Sequence, residues 1–323
     1  MAYKRSVYIE ARNRLSERRK NAEQEQLARH SLAVMKCPEI LDIESEMASY
    51  GASVVKAVGM GGDAKEYVLN LSVKSLQAQD KLKALLRQNG FPEDYLQVKY
   101  SCPVCKDSGF DGERYCKCHM SLIREVAREE ISKNAPLEKC TFESFKVRYY
   151  PDLVDKNIGI SQKEQMQSVF EFCQSYANGF TLKNKSLFMT GLTGLGKTHL
   201  SLAIAGTVID KGYNVHYESA QNLMDKLERE HFGRSGSDAS YKEEILECDL
   251  LIIDDLGCEF QTQFTKAELY NIINTRYLRS LPTIINTNLS VKELEQTYHP
   301  RVASRIMGNY VLLMFCGNDI RQS

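Results

Sequence analysis

Through the first ninety residues the apolar positions are sparse and fall three or four apart. Val7, Ala11, Leu15 and Ala22 form a thin, interrupted stripe in a highly charged stretch that runs to about Met47. That spacing predicts a helix burying one narrow face. Pro38 removes an N–H donor and divides the stretch into two helices. A further helix carries Leu71, Ala78, Leu82 and Leu85 on one face and ends at Asn89-Gly90-Phe91-Pro92, with Gly59-Met60-Gly61-Gly62 as the loop before it. A charged helix is expected from Leu122 to Ser132, and another from about Gln162 to Tyr176.

From Lys185 the pattern changes to short, continuous apolar runs alternating with helix-like segments. Ser186–Thr190, Asn214–Glu218, Leu250–Asp255, Pro282–Asn288 and Val311–Phe315 read as strands. Between them, helices are expected to begin near Lys197 and to cover Ser219–His231, Lys266–Arg279 and Val291–Gln296, and Phe232–Asp238 reads as a polar loop. Runs apolar on both faces suit a parallel sheet covered by helices. The expected fold is therefore α/β, with a parallel sheet flanked by helices, preceded by a mainly helical amino-terminal domain. The boundary falls between Lys133 and Thr141, giving domains 1–135 and 136–323.

Composition adds limits. The 323 residues suggest about two domains, and 42 basic against 42 acidic side chains leave no whole-chain basic footprint, so any nucleic-acid contact must be a local patch. Arg229, Arg234 and Lys242, flanking the polar loop, are a candidate patch beside the simpler reading of solvated charges. No apolar run reaches the length of a membrane span, and Met1–Ser6 lacks the apolar core of a signal peptide. A cytoplasmic protein without membrane contact is expected. Ten cysteines there argue for metal ligands and buried thiols rather than disulfides. Cys37, Cys140, Cys173, Cys248, Cys258 and Cys316 are scattered, and most are expected in the core.

The chemistry concentrates in a few places. Gly191-Leu192-Thr193-Gly194-Leu195-Gly196-Lys197-Thr198 fits the P-loop spacing at every fixed position, between a strand and a helix that His199 continues. The glycines let backbone N–H groups turn toward phosphate oxygens at a helix amino terminus, Lys197 supplies charge between the β- and γ-phosphates, and Thr198 offers its hydroxyl to Mg²⁺. A buried strand ending in Asp254 and Asp255 needs a cation: Asp254 would hold Mg²⁺, directly or through water, and Asp255 would orient the attacking water. Asn286 and Asn288 end the next strand, where ligands of open parallel sheets gather; a polar side chain there could sense the γ-phosphate or position the water, either could equally be a turn residue, and Asn288 is favoured. Arg301 and Arg305 lie four apart on one helical face, either solvated or aimed at another subunit's phosphate.

Cys102-Pro103-Val104-Cys105 has the knuckle spacing that wraps two thiolates onto zinc, and Cys116-Lys117-Cys118-His119 can return to complete a tetrahedron through the turn-forming Ser108–Gly112. The fourth ligand lies open between Cys118 and His119.

In this order the motifs resemble those of AAA+ ATPases, and more closely those of the DnaC/DnaI-type bacterial helicase loaders and the related IstB-type transposition ATPases. The resemblance runs from about Thr141 onward. It makes Gly191–Thr198 the Walker A motif, Leu250–Asp255 Walker B, Asn288 sensor 1, Ser304-Arg305-Ile306 the arginine-finger segment and Arg321 the candidate for sensor 2. It implies ATP and Mg²⁺ as ligands, with residues 191–199 and Arg321 at the nucleotide. It also implies catalysis by Lys197, Asp254, Asp255, Asn288 and Arg305. The helical region with its zinc-bearing cysteines is similar to the helicase-interaction region of DnaI-like loaders and is generally lacking in IstB-type ATPases. The resemblance thus implies an ATP-switched loader that binds a hexameric replicative DNA helicase, self-associates on it and contacts single-stranded DNA. The alternative is a transposition helper ATPase. Two features depart from the pattern: Asp255 stands where many members have Glu, which implies slow hydrolysis, and little chain follows Gly317–Arg321 to form a lid.

Overall fold

A computed structural model describes residues 3–58, 64–154, 159–233 and 240–320. The expected Gly59–Gly62 loop, most of the polar loop with Arg234, and Arg321 lie outside these residues. The elements, in chain order, are helices α1 (Arg5–Lys36), α2 (Glu39–Val58) and α3 (Ala64–Gln88), strands β1 (Phe110–Asp111) and β2 (Arg114–Tyr115), then α4 (Lys117–Ser132) and α5 (Gln162–Asn178). Next come β3 (Ser186–Thr190), α6 (Lys197–Asp210), β4 (Val215–Ser219), α7 (Ala220–His231), α8 (Tyr241–Glu247) and β5 (Leu250–Leu256). The last are α9 (Gln263–Leu278), β6 (Thr283–Thr287), α10 (Val291–Thr297), α11 (Pro300–Asn309) and β7 (Tyr310–Met314). No helix among the described residues is long and apolar enough to cross a membrane.

The chain divides into two compact units, Arg12–His119 and Met1–Ala11 with Met120–Ser323. The division falls inside α1 and α4.

In the Arg12–His119 unit, Ala33, Cys37, Ile40 and Leu86 form a small core, flanked by Leu82, Leu85 and the stacked rings of Phe91 and Tyr95, whose centroids are 4.5 Å apart. Arg29 ties the segment after α3 to α1, donating from Nε to the Tyr95 carbonyl at 3.0 Å and from Nη2 to the Gln97 carbonyl at 3.0 Å. The four stripe residues of α1 are buried, as a narrow apolar face requires.

The larger unit holds a five-stranded sheet, order β4-β5-β6-β3-β7, with every pair parallel. Its central strands are buried on both faces, which explains why they read as unbroken apolar runs. One core gathers Leu251, Ile253 and Ile285 from the sheet with Leu223, Ile272, Leu294 and Ile306 from the helices. Helix α8 was not expected: seven residues give too few turns for a period to register. Of the six scattered cysteines only Cys37, Cys173 and Cys248 are buried, while Cys140 and Cys316 are half-buried and Cys258 is exposed, so the expectation that most sit in the core is corrected.

Candidate nucleotide site and cysteine cluster

The P-loop leaves β3 at the carboxyl edge of the sheet and enters α6, whose first residue is Lys197. Gly191 (φ +148°) and Gly194 (φ +75°) occupy backbone conformations that favour glycine. Neither position has room for a Cβ, which at Gly191 would meet the Phe315 carbonyl oxygen and at Gly194 the Asp319 carboxylate. The segment after β7 thus lies directly on the loop, and Ile320 N donates to Gly194 O at 3.1 Å.

A second segment, whose role the sequence did not show, also meets the loop. Tyr150 Oη donates to Leu195 O at 2.8 Å, and the Phe145 ring stacks on Phe170 of α5 with centroids 5.6 Å apart. His199 Nε2 lies 2.9 Å from Thr141 O and 3.1 Å from Ser144 Oγ. Residues 141–150 therefore clamp the loop to the body of the unit.

Lys197 is buried, and its ammonium group donates to Gly191 O (2.7 Å), Leu192 O (2.7 Å) and Asn288 Oδ1 (2.8 Å). Asn288 thereby reaches the P-loop lysine from just beyond the end of β6. Asn286, two residues earlier, points instead at Asp254: its Nδ2 donates to Asp254 Oδ1 at 2.7 Å and to Ser201 Oγ at 2.9 Å. Thr198 Oγ1 donates to the same Asp254 oxygen at 3.1 Å, and Tyr217 Oη donates to Oδ2 at 2.6 Å. Burial, and then Asp254 beside it, push the Tyr217 hydroxyl well above the ordinary tyrosine range, so it remains a proton donor.

Asp254 and its neighbour part company at a register shift between Ile253 and Leu256. Asp255 takes φ +53°, a rare conformation for a residue with a Cβ. The irregularity turns Asp255 outward to line the cavity over the P-loop while Asp254 stays buried. Beyond the bulge the buried Glu259 carboxylate accepts from Gly257 N at 2.8 Å and from Tyr298 Oη, holding the turn.

The cavity has a volume of about 480 Å³ and is lined by residues 193–199, Asp255, Asn288, Ile320 and the two thiols Cys140 and Cys258. It has the makings of a phosphate cradle: a helix amino terminus, turned backbone amides, one ammonium group and, at its floor, a hydroxyl 3.1 Å from a carboxylate. That oxygen-only pair suits Mg²⁺. Arg301 and Arg305 are not among the described residues lining it. Arg305 instead lies over the Tyr277 ring, 5.2 Å from its centroid, and Arg301 borders a separate cavity between α9 and α11. Of the candidate nucleic-acid contacts, Lys242 is paired with Glu268 at 2.7 Å.

In the Arg12–His119 unit the sulfurs of Cys102, Cys105, Cys116 and Cys118 all lie within 4.8 Å of one another. Cys102 and Cys116 are 3.8 Å apart and Cys105 and Cys118 3.3 Å. A tetrahedron with zinc–sulfur arms of about 2.3 Å has edges of about 3.8 Å, so the donor set fits a four-thiolate metal. His119 is not in this group: its Nδ1 lies 3.2 Å from Gly109 O and its ring edge faces Tyr115. The knuckle is shaped by Asp107, buried, whose carboxylate accepts from Ser101 N at 2.7 Å and Cys102 N at 2.9 Å. The backbone N–H of Cys105 lowers the Cys102 thiol to about 7, while burial pushes Cys118 up.

The parallel sheet, the P-loop after β3 and the two acids of β5, with β6 inserted between those two strands, define a P-loop nucleotide-binding fold of the AAA+ type. Residues 163–311 match the family described as IstB-like ATP binding protein, and the chain is similar to DnaC-type proteins. Replicative helicase loader DnaC of Escherichia coli K12 is 24% identical over 202 residues, covering 62% of this chain and 81% of the relative. DnaC of Buchnera aphidicola from Baizongia pistaciae is 25% identical over 185 residues, covering 57% and 70%. A crystal structure of the DnaC helicase loader is 22% identical with a TM-score of 0.46, covering 55% of this chain and 98% of that one.

Proposed function

We propose that this protein is an ATPase that loads the hexameric replicative DNA helicase onto single-stranded DNA, with ATP binding and hydrolysis as its switch. The observation that carries the reading is the convergence of the P-loop, Asp255 and Asn288 on one cavity, with Asp254 beneath it and both candidate arginines elsewhere. Among the described residues no guanidinium lines this cavity, and α11 of a second chain could supply one by bringing Arg305 to the γ-phosphate. Self-association on the helicase would then govern hydrolysis. The relatives named as replicative helicase loaders support the same assignment.

Thr198 and Asp254 would hold Mg²⁺, which when bound offsets charge on the β- and γ-phosphates. Lys197 would exchange a carbonyl partner for phosphate oxygen, Asn288 would steer it, and Asp255 would orient water. Being shorter than Glu, Asp255 supports slow turnover. Arg321 is retained as a nucleotide contact from the sequence alone. Residues 1–135 are assigned to helicase contact, with zinc on Cys102, Cys105, Cys116 and Cys118, and residues 136–323 to nucleotide.

Lys197→Ala removes charge-assisted hydrogen bonds worth about 1.5–3 kcal/mol each, so nucleotide affinity should fall at least about tenfold. Co-purification with the replicative helicase should depend on nucleotide in the wild type and lose that dependence in Lys197→Ala. Helicase binding that ignores both nucleotide and the substitution would sink the switch. The IstB-like family match keeps the transposition helper as the second reading, and capture of a transposase in place of a helicase would establish it.

A further inference from the structure

Asp254 is held by more than the P-loop threonine. In a parallel sheet, side chains in register share a face and alternate along each strand. Tyr217 pairs in register with Ile252, and Ile252 with Ile284. Asp254 and Asn286, each two residues further on, therefore lie on that same face, the one that meets Ser201 of α6. Three neighbouring strands thus aim a phenol, a carboxylate and an amide at one point.

The two carboxylate oxygens are treated differently. Oδ1 accepts from Thr198 and Asn286, and Oδ2 accepts from Tyr217 at 2.6 Å, the shortest of the three. A carboxylate has about four acceptor positions. Thr198 Oγ1 lies 3.1 Å from Oδ1, so a cation that takes a lone pair of that hydroxyl would lie on the Oδ1 side of the carboxylate, while the buried phenol keeps Oδ2. A carboxylate free to rotate would expose either oxygen.

We propose that Tyr217 is a positioning residue for the metal of the nucleotide site, anchoring Oδ2 of Asp254 so that Oδ1 is the oxygen presented to Mg²⁺. The inference rests on the reading of Asp254 as the Mg²⁺ residue given under the proposed function. The alternative is that Tyr217 merely satisfies its own buried hydroxyl, in which case its loss would affect stability and leave metal dependence untouched.

The test uses the full chain and N-methylanthraniloyl-ATP fluorescence, and its readout is the ratio of affinities with and without saturating Mg²⁺. Groups that orient metal ligands are worth about 10- to 100-fold in metal affinity. In Tyr217→Phe the Mg²⁺ concentration giving half of the effect should rise about tenfold, and at a fixed sub-saturating Mg²⁺ the ratio should fall. Tyr217→Leu, which also lacks the hydroxyl, should shift it the same way and stands in should the phenylalanine variant prove unstable. In an Asp254→Asn background neither substitution should change the ratio further. A Mg²⁺ titration in Tyr217→Phe that overlays the wild type, or equal losses with and without metal, overturns the role of Tyr217. A wild type indifferent to Mg²⁺ overturns instead the underlying reading of Asp254, so the two failures are distinguishable.

Discussion

Cys105→Ser is expected to strip one zinc ion from each chain and to unfold the surroundings of the cysteine cluster, the largest single effect any substitution should have here. Burial and mutual proximity oppose holding four thiolates together without a cation, as the raised Cys118 thiol indicates. A structural zinc site contributes on the order of 10 kcal/mol to the fold around it, because the unfolded chain offers no preformed site. β1 and β2 are two residues each and exposed, so besides the cluster the Phe110–Tyr115 hairpin has mainly the packing of its two rings on His119 to hold it. Elemental analysis of protein purified without added metal should give one zinc per chain for the wild type and none for Cys105→Ser or Cys118→Ser. His119→Ala should keep its zinc, since that imidazole is engaged by Gly109 O. Amide exchange should accelerate across residues 100–119 in the serine variants, whereas nucleotide affinity should stay near wild type. A wild type free of metal, or a Cys118→Ser variant that retains it, would falsify the four-thiolate assignment. The full-length Cys105→Ser variant also tests the proposed docking role, since helicase binding should fail while nucleotide binding survives.

What could be read from the sequence has a common physical basis. The P-loop, the Leu250–Asp255 strand and the cysteine pairs are local: the residues that meet are within a few positions of one another, and spacing alone encodes the geometry. The alternation rule could have gone further. Asn286 and Asn288 occupy equivalent alternation positions, yet the strand ends between them at Thr287, and the last residue is free to turn toward Lys197 while Asn286 stays over Asp254. In the sequence Tyr217 is legible only as part of a strand, because the partner that gives it meaning lies 37 residues away on a neighbouring strand. The clamp of residues 141–150 on the P-loop is non-local in the same way. Strand order is not a property of any segment, so the placement of β3 between β6 and β7 had no sequence signal at all. The single helix α1 was legible through its stripe, because every fourth residue carries the information even when the rest is charged.

Arg276 is the clearest case of a residue that only the fold explains, and Arg276→Met should cost about 3–5 kcal/mol of stability. The side chain has 0% exposure, yet it is surrounded by neutral oxygens. Nε donates to Thr283 Oγ1 at 2.9 Å, Nη1 to Ile245 O at 2.8 Å and Cys248 O at 2.9 Å, and Nη2 to Pro282 O at 2.7 Å. Ile245 and Cys248 belong to the last turn and cap of α8, where unpaired carbonyls and the negative end of the helix dipole favour a cation. A planar fork with five N–H donors thus joins α9, the end of α8 and the start of β6 at one point, a task that no shorter or single-headed cation can copy. Methionine fills comparable space but leaves those carbonyls buried with no donor, at about 1–3 kcal/mol for each that water cannot reach. Lysine restores the charge and up to three donors without the fork geometry, and should recover only part of the loss. Urea unfolding followed by circular dichroism would rank wild type above Lys above Met, and amide exchange in Met should rise first across Tyr241–Glu247 as α8 detaches. If Arg276→Met unfolds within about 1 kcal/mol of wild type, water must reach these carbonyls, and the guanidinium is not what pins α8 to the sheet.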